Sequence, residues 1–196
     1  RSLDVCTGSG IHALLAARHA REAVGVDISP RALAFARFNA ALNGVENVVW
    51  LEGDVYAALP DGARYGLITA NPPYNPELDS AAGDDYHSGG ESGEEILERL
   101  VAGLPGRLEH GGYAQIITLL IHREGDALAP RLQRWLSPAG AEGRGVAKVA
   151  SAAEPASDAD AVITMLPAGK DTLAVWGGGV LQAAAPGTLF IDSSTI

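Results

Sequence analysis

Cys6 is the single cysteine among 196 residues. An intramolecular disulfide and a zinc site built from several cysteines are thereby excluded. The chain also lacks a run of about eighteen apolar residues, which excludes a transmembrane helix. Basic residues are scarce, since 14 Lys and Arg stand against 24 Asp and Glu and leave a net charge of −10. That balance disfavours broad, sequence-independent adhesion to nucleic acid. It leaves room for a small basic cleft, or for a partner that makes the nucleic-acid contacts. The opening Arg1-Ser2-Leu3-Asp4 carries no methionine, charged leader or apolar signal core. Asp192-Ser193-Ser194-Thr195-Ile196 is turn chemistry that ordinarily leads onward. Both ends read as cut. With no targeting segment and a lone thiol, a cytoplasmic setting is expected.

What is present is the make-up of a soluble globular protein: 47% hydrophobic, 19% charged and 24 glycines. Apolar runs at 3–5, 23–27, 48–51, 65–70 and 113–120 read as strands. Helices are expected over 11–19, 31–42, 94–104 and 126–136. Ser29-Pro30 is a helix start and Asn43-Gly44 a helix stop. Strands that alternate with helices, and are apolar without internal alternation, predict an α/β fold. Its sheet is doubly wound and mainly parallel, in the manner of a Rossmann-like core. Four polar motifs, beginning at Asp4, Asp27, Asp54 and Asn71, each come after a strand. In such sheets ligands bind at the strands' carboxyl ends.

Asp4-Val5-Cys6-Thr7-Gly8-Ser9-Gly10 joins a strand to a helix. Its glycines permit a sharp turn and close approach of a ligand, and its N–H groups favour a negative group. Asp27, at the end of the next strand, is placed to accept hydrogen bonds from ribose hydroxyls, as in nicotinamide and adenosylmethionine folds. Two features favour adenosylmethionine. Asp4 would repel a pyrophosphate but welcome an ammonium, and Gly8-Ser9-Gly10 lacks the third glycine of a dinucleotide loop. Asp54 can accept from an adenine amino group. Taken singly, each acidic residue also reads as a helix cap or solvated turn.

Asn71-Pro72-Pro73-Tyr74 is more specific. The Asn71 side-chain oxygen and the Pro72 carbonyl can both accept hydrogen bonds from a planar NH2 group, and the prolines fix the chain so that the acceptors converge. The nitrogen lone pair is then aimed at an electrophile. Tyr74 offers a face for stacking. The alternative is a plain Asn-Pro turn.

On Asp4–Gly10, Val26-Asp27-Ile28-Ser29, Gly53-Asp54 and Asn71–Tyr74, residues 1–140 resemble the class I adenosylmethionine-dependent methyltransferases. They are most similar to the branch of release-factor glutamine and adenine-N6 or guanine-N2 RNA methyltransferases. The resemblance implies adenosylmethionine held by Asp4, Thr7, Gly8, Gly10, Asp27, Ile28, Asp54, Val55 and Asn71. It puts Asn71, Pro72 and Tyr74 at the acceptor, an RNA or DNA base or a protein glutamine. No metal and no membrane partner are expected. Cys6 departs from the family's more frequent glycine. The family's N-terminal recognition region and terminal strand hairpin are not seen.

From about Ser137 the text turns Gly- and Pro-rich, and strands are expected at 146–149, 161–166 and 188–192 with a helix over 170–184. Residues 145–196 resemble the cofactor domain of 3-hydroxyisobutyrate and other β-hydroxyacid dehydrogenases. That likeness implies that Leu166, Pro167 and Thr195 face NAD(P). Asp171 departs from the asparagine often found there, and the family's Gly-rich dinucleotide motif is absent from the segment. The chain therefore reads as a methyltransferase core (1–140) with a C-terminal βαβ extension (141–196), a chimera of two family segments. The extension is expected to dock beside the fifth strand.

Three functions are set against one another: N-methyl transfer to a planar amino group, a dehydrogenase fragment, and a non-catalytic adenosylmethionine-binding piece. His12 and His19 read as ordinary helix residues, His87 as a solvated loop residue, Cys6 as packing, and Glu94, Glu95 and Glu98 as an exposed first helical turn.

Overall fold

Strands that are apolar along their whole length need parallel neighbours and covered faces, and the chain supplies both. The computed structural model describes residues 1–75, 89–118, 125, 128–136, 161–164 and 189–192. Seven strands, β1 (Ser2–Val5), β2 (Ala23–Asp27), β3 (Val48–Glu52), β4 (Tyr65–Ala70), β5 (Leu108–Ile117), β6 (Ala161–Thr164) and β7 (Leu189–Asp192), are described with four helices. These are α1 (Ile11–Ala17), α2 (Pro30–Leu42), α3 (Glu95–Arg107) and α4 (Leu128–Leu136). The strands form one sheet in the order β3-β2-β1-β4-β5-β7-β6. Every ladder is parallel, so the sheet is the α/β sheet expected.

Local chemistry sets the elements. The Ser29 Oγ accepts the Ala32 N–H at 3.2 Å and Pro30 opens α2. Gly44, at φ +64°, ends that helix with the left-handed residue such stops need. α3 buries Leu97, Leu100, Val101 and Leu104, a spacing of three, four and seven that lines one helical face. Arg64 Nη1 donates to the carbonyls of Pro105 (3.2 Å) and Leu108 (2.7 Å), covering acceptors that the end of α3 leaves open. The core joins Leu3, Val5, Val24, Val26, Ile68, Ala114 and Ile116 of the sheet to the buried α3 residues and Leu132 of α4.

Two expectations need correction. β5 begins at Leu108 rather than at Tyr113, because Tyr65 pairs with Leu108 before the register shifts to Leu67–Tyr113. Glu94 is not exposed: it is 2% accessible and its Oε1 lies 3.2 Å from Arg131 Nη2 of α4. Packing of α4 over the start of α3 closes off the solvent that the helix start alone would have left.

The C-terminal strands join the same sheet. Gln115, Ile116 and Ile117 of β5 pair with Phe190, Ile191 and Asp192 of β7, and β6 pairs with β7 beyond it. The strand expected at 146–149, the helix expected over 170–184, and Asp171 lie outside the described residues. Among the described residues no helix is long and apolar enough to cross a membrane. The chain winds outward from β1 through β2 to β3, then restarts on the other side of β1 with β4. That reversal between β1 and β4 is where an open parallel sheet leaves a crevice for a ligand.

Candidate functional site

The ladders place the predicted motifs side by side. Val5 pairs with Val26 on one flank and with Ala70 on the other, and Asp27 pairs with Glu52. The loops at the ends of these strands, Cys6 to Gly10, Ile28 to Ser29, Gly53 to Val55 and Asn71 to Tyr74, therefore leave one edge of the sheet together. This is the carboxyl edge, at the reversal point.

The first loop is a built structure. Cys6 and Gly8 lie in the left-handed region at φ +57° and +55°, and Gly10 comes next at φ +90°. A side chain at such a left-handed position costs about 1–2 kcal/mol, so Cys6 holds a conformation that glycine adopts freely. Val55 is a second non-glycine at positive φ, +52°. For a β-branched residue this is strain, and strain of this kind gathers at functional loops. The two loop glycines differ in purpose. A Cβ at Gly10 would stand 2.7 Å from Trp50 Cη2 and 3.1 Å from the Ala36 Cβ, whereas one at Gly8 would meet nothing within 4 Å. Gly10 lets helix and sheet close together; Gly8 faces open space.

Asp27 ties two loops together. The Gly8 N–H donates to its Oδ2 at 2.8 Å and the Ser29 N–H to its Oδ1 at 2.9 Å. A carboxylate has about four lone-pair positions, so hydroxyl donors can still be accepted. Asp4 is 1% exposed. Thr7 Oγ1 donates to its Oδ2 at 2.5 Å and Thr69 Oγ1 to its Oδ1 at 2.8 Å. His12 Nδ1 lies 3.3 Å from the same Oδ1. His12 is thus no ordinary helix residue, and its hydrogen bond to Asp4 lifts it above its usual 6.5, against the opposing pull of burial. Burial, with Asp27, Asp4 and Asp54 nearby, pushes the Cys6 thiol up to about 12, which suits packing rather than nucleophilic attack.

Asp54 is half exposed and bonded to Arg99 Nη2 of α3 at 2.7 Å. Arg99 therefore shares the carboxylate expected to meet an adenine. Asn71 is exposed, Pro72 is buried, and Pro73 and Tyr74 are half-buried. Asn75 is tied to the start of α3, since the Gly89 N–H donates to the Asn75 carbonyl at 2.9 Å and the Glu95 N–H to the Gly89 carbonyl at 3.1 Å. A Cβ on Gly89 would stand 2.8 Å from the Pro73 carbonyl oxygen. Thr69 and Arg99 escaped sequence reasoning, and His12 was read as an ordinary helix residue. Ile28 is 68% exposed, an apolar side chain left open beside Asp27. Leu166, Pro167, Thr195 and His87 lie outside the described residues. Among the described residues no cluster of three or more metal-ligating side chains occurs.

An open parallel sheet with a glycine loop and an acidic residue at successive strand ends defines the Rossmann-like class of adenosine-cofactor domains. Comparison with known proteins narrows it. Residues 3–80 match the family described as "Methyltransferase domain", and residues 130–196 match the "NAD binding domain of 6-phosphogluconate dehydrogenase". The first segment is similar to a methyltransferase domain and the second to a dehydrogenase cofactor domain, as their sequences implied. The ribosomal protein uL3 glutamine methyltransferase of Bordetella pertussis is 36% identical over 154 residues, covering 71% of this chain and 50% of that protein. The release factor glutamine methyltransferase of Deinococcus radiodurans is 40% identical over 122 residues, covering 57% of this chain and 43% of that protein. The chain thus spans half or less of the length of both relatives. A solved methyltransferase from Pyrococcus furiosus is 21% identical with a TM-score of 0.47, covering 69% of this chain and 61% of that one.

Proposed function

We propose that the chain transfers a methyl group from adenosylmethionine to a planar nitrogen, with a protein glutamine amide as the favoured acceptor and an RNA guanine amine as the rival. The observation that carries this reading is the emergence of Asn71-Pro72-Pro73-Tyr74 beside the glycine loop, with β4 and β1 in register at Ala70 and Val5. The open space at Gly8 and the lone pairs left on Asp27 fit an adenosine-bearing ligand. Bound adenosylmethionine supplies an electrophilic methyl carbon on a sulfonium. Thr7, Gly8, Asp27 and Asp54 hold that ligand. Asn71 and the Pro72 carbonyl each accept one N–H of the acceptor, and Tyr74 stacks on its plane. Two such bonds orient the lone pair without a strong base, because the proton leaves after nitrogen has been alkylated. Glutamine is favoured by the relatives' stated activities. A cytoplasmic setting, where Cys6 stays reduced, is part of the reading.

We read the C-terminal strands as a structural extension of the methyltransferase sheet rather than a second active site. The sheet order supports this, since β7 lies against β5 and not at the β1/β4 reversal. The test is Asn71→Ala with a glutamine peptide and with RNA as acceptors. Adenosylhomocysteine binding should stay within about threefold while turnover falls about 10²–10³-fold, as for loss of one orienting polar group. Unchanged turnover overturns the assignment of Asn71. Thermal stabilisation by NAD alone, and not by adenosylhomocysteine, overturns the ranking of the two segments.

A further inference from the structure

The Asp4 carboxylate is the most deeply buried charge at the site, at 1% exposure, and its partners are unequal. Thr7 and Thr69 donate neutral hydroxyl bonds, at 2.5 and 2.8 Å. His12 can carry a full charge, and its Nδ1 is 3.3 Å from Oδ1. Its ring is 29% exposed, so a proton can come and go. Oδ1 already serves both Thr69 and His12, while Oδ2 serves Thr7 alone. One acceptor position on Oδ2 is left for an incoming ammonium.

We propose that His12 is a positioning residue for the cofactor: it shares Asp4 with the ligand's ammonium, so that binding the amino-acid end of the ligand drives a proton off the imidazole. This rests on the cofactor reading above and deepens it. With a neutral imidazole, the Nδ1–H still fixes the carboxylate while Asp4 keeps its negative charge for the ammonium. With an imidazolium, the pair is already neutral and the ammonium meets a competing cation.

The surroundings leave Asp4 as the charge that governs His12. α1 packs against β1, β2 and β3. The carboxylate from β1 is Asp4. Asp27 at the end of β2 is bound to the Gly8 and Ser29 amides, and Asp54 after β3 is paired with Arg99. Thr69 is the polar contact from β4. Asp4 also raises the proton affinity of His12, which brings the exchange toward neutral pH.

By linkage, a ligand that expels one proton loses affinity by up to about tenfold per pH unit below the free protein's transition. The window from pH 5 to 7 isolates this exchange, because an α-amino group titrates higher, at about 7.7–8.0. The experiment is calorimetric titration of the full chain in two buffers of different ionisation enthalpy, which counts protons released. The probes are adenosylhomocysteine, which carries the amino-acid group, and methylthioadenosine, which lacks it. Adenosylhomocysteine should release protons and weaken as pH falls, whereas methylthioadenosine should do neither. His12→Asn should bind adenosylhomocysteine with no proton release and a flat pH profile. Equal release with both ligands, or release that persists in His12→Asn, overturns the proposal while the cofactor reading stands. Failure of both ligands to bind overturns the cofactor reading and this inference with it.

Discussion

Gly8 and Gly10 look equivalent in the sequence and should respond very differently to the same change. A Cβ at Gly8 has no atom within 4 Å, so Gly8→Ala bears only the left-handed backbone at φ +55°. That costs about 1–2 kcal/mol, partly offset by about 0.4–1 kcal/mol from a stiffer unfolded chain. A net loss near 1 kcal/mol is expected. Gly10→Ala adds a Cβ at 2.7 Å from Trp50 Cη2 and 3.1 Å from the Ala36 Cβ, at φ +90°. Overpacking adds about 1–3 kcal/mol, so the total is about 2–4. Urea unfolding followed by circular dichroism measures both, with the m-value held constant as the control. Trp50→Phe removes the atoms nearest the new Cβ. In a double-mutant cycle it should recover about 1–2 kcal/mol of the Gly10→Ala loss. Ligand binding should separate the pair in the opposite sense. Gly8→Ala fills the space where the backbone would meet the ligand, and should weaken adenosylhomocysteine at least about tenfold, a difference of about 1.4 kcal/mol. Equal destabilisation by the two substitutions, or no coupling between Gly10→Ala and Trp50→Phe, would refute the division of labour between the glycines.

Two further outcomes are expected. Arg131→Ala should destabilise by about 3–5 kcal/mol, because it breaks a buried ion pair in which Glu94 Oε1 lies 3.2 Å from Arg131 Nη2. Arg131→Met with Glu94→Gln should recover most of that loss in the same denaturation assay, and an Arg131→Ala loss below about 1 kcal/mol, the scale of an exposed pair, counts against the pairing. Cys6, pushed up to about 12 by burial and the neighbouring Asp27, Asp4 and Asp54, should be alkylated by iodoacetamide at pH 8 at least about a hundredfold more slowly in the folded chain than in urea, where the thiol returns to about 8.5. Raising the pH should speed the folded reaction throughout the alkaline range, and labelling as fast as in urea would show the thiol to be activated.

Much of the site was legible because parallel strands announce themselves, and their carboxyl-end loops are then located as well. Leu3 to Val5, Ala23 to Asp27 and Tyr65 to Ala70 are apolar enough to be strands of one covered sheet. Parallel register then brings Cys6, Asp27 and Asn71 to one edge without any further information. The start of β5 was hidden, since Leu108-Glu109-His110-Gly111-Gly112 has the polarity and glycines of a turn. Its pairing with Tyr65 comes from the sheet, through a register shift that no local pattern encodes. Glu94 and Arg99 were misread or missed for a related reason. Their partners, Arg131 and Asp54, stand on other elements, 37 and 45 positions away along the chain. His12 was closer to being readable. A βα turn folds the first helical turn back over the end of the strand before it, so the second residue of α1 falls near Asp4. Helical periodicity describes how a helix meets the core and carries no term for that return.

The joining of two unlike family segments in one sheet reflects what a strand ladder recognises. Backbone N–H and C=O groups along a parallel edge are identical for every non-proline residue, so the ladder constrains direction and polarity rather than ancestry. β5 presents such an edge on the side away from β4, and three residues of β7 occupy it in parallel register. The match to a methyltransferase domain ends at residue 80 and the match to an NAD-binding domain begins at residue 130. β5 lies between the two matches in sequence, and in the sheet it stands between β4 and β7. The crevice at the β1/β4 reversal is therefore built wholly from strands before residue 75, with β5 screening it from the strands after residue 160. On this architecture the C-terminal strands influence the site through the stability of β5. A substitution that loosens the β5–β7 ladder should lower the unfolding midpoint before it changes the affinity for an adenosine ligand.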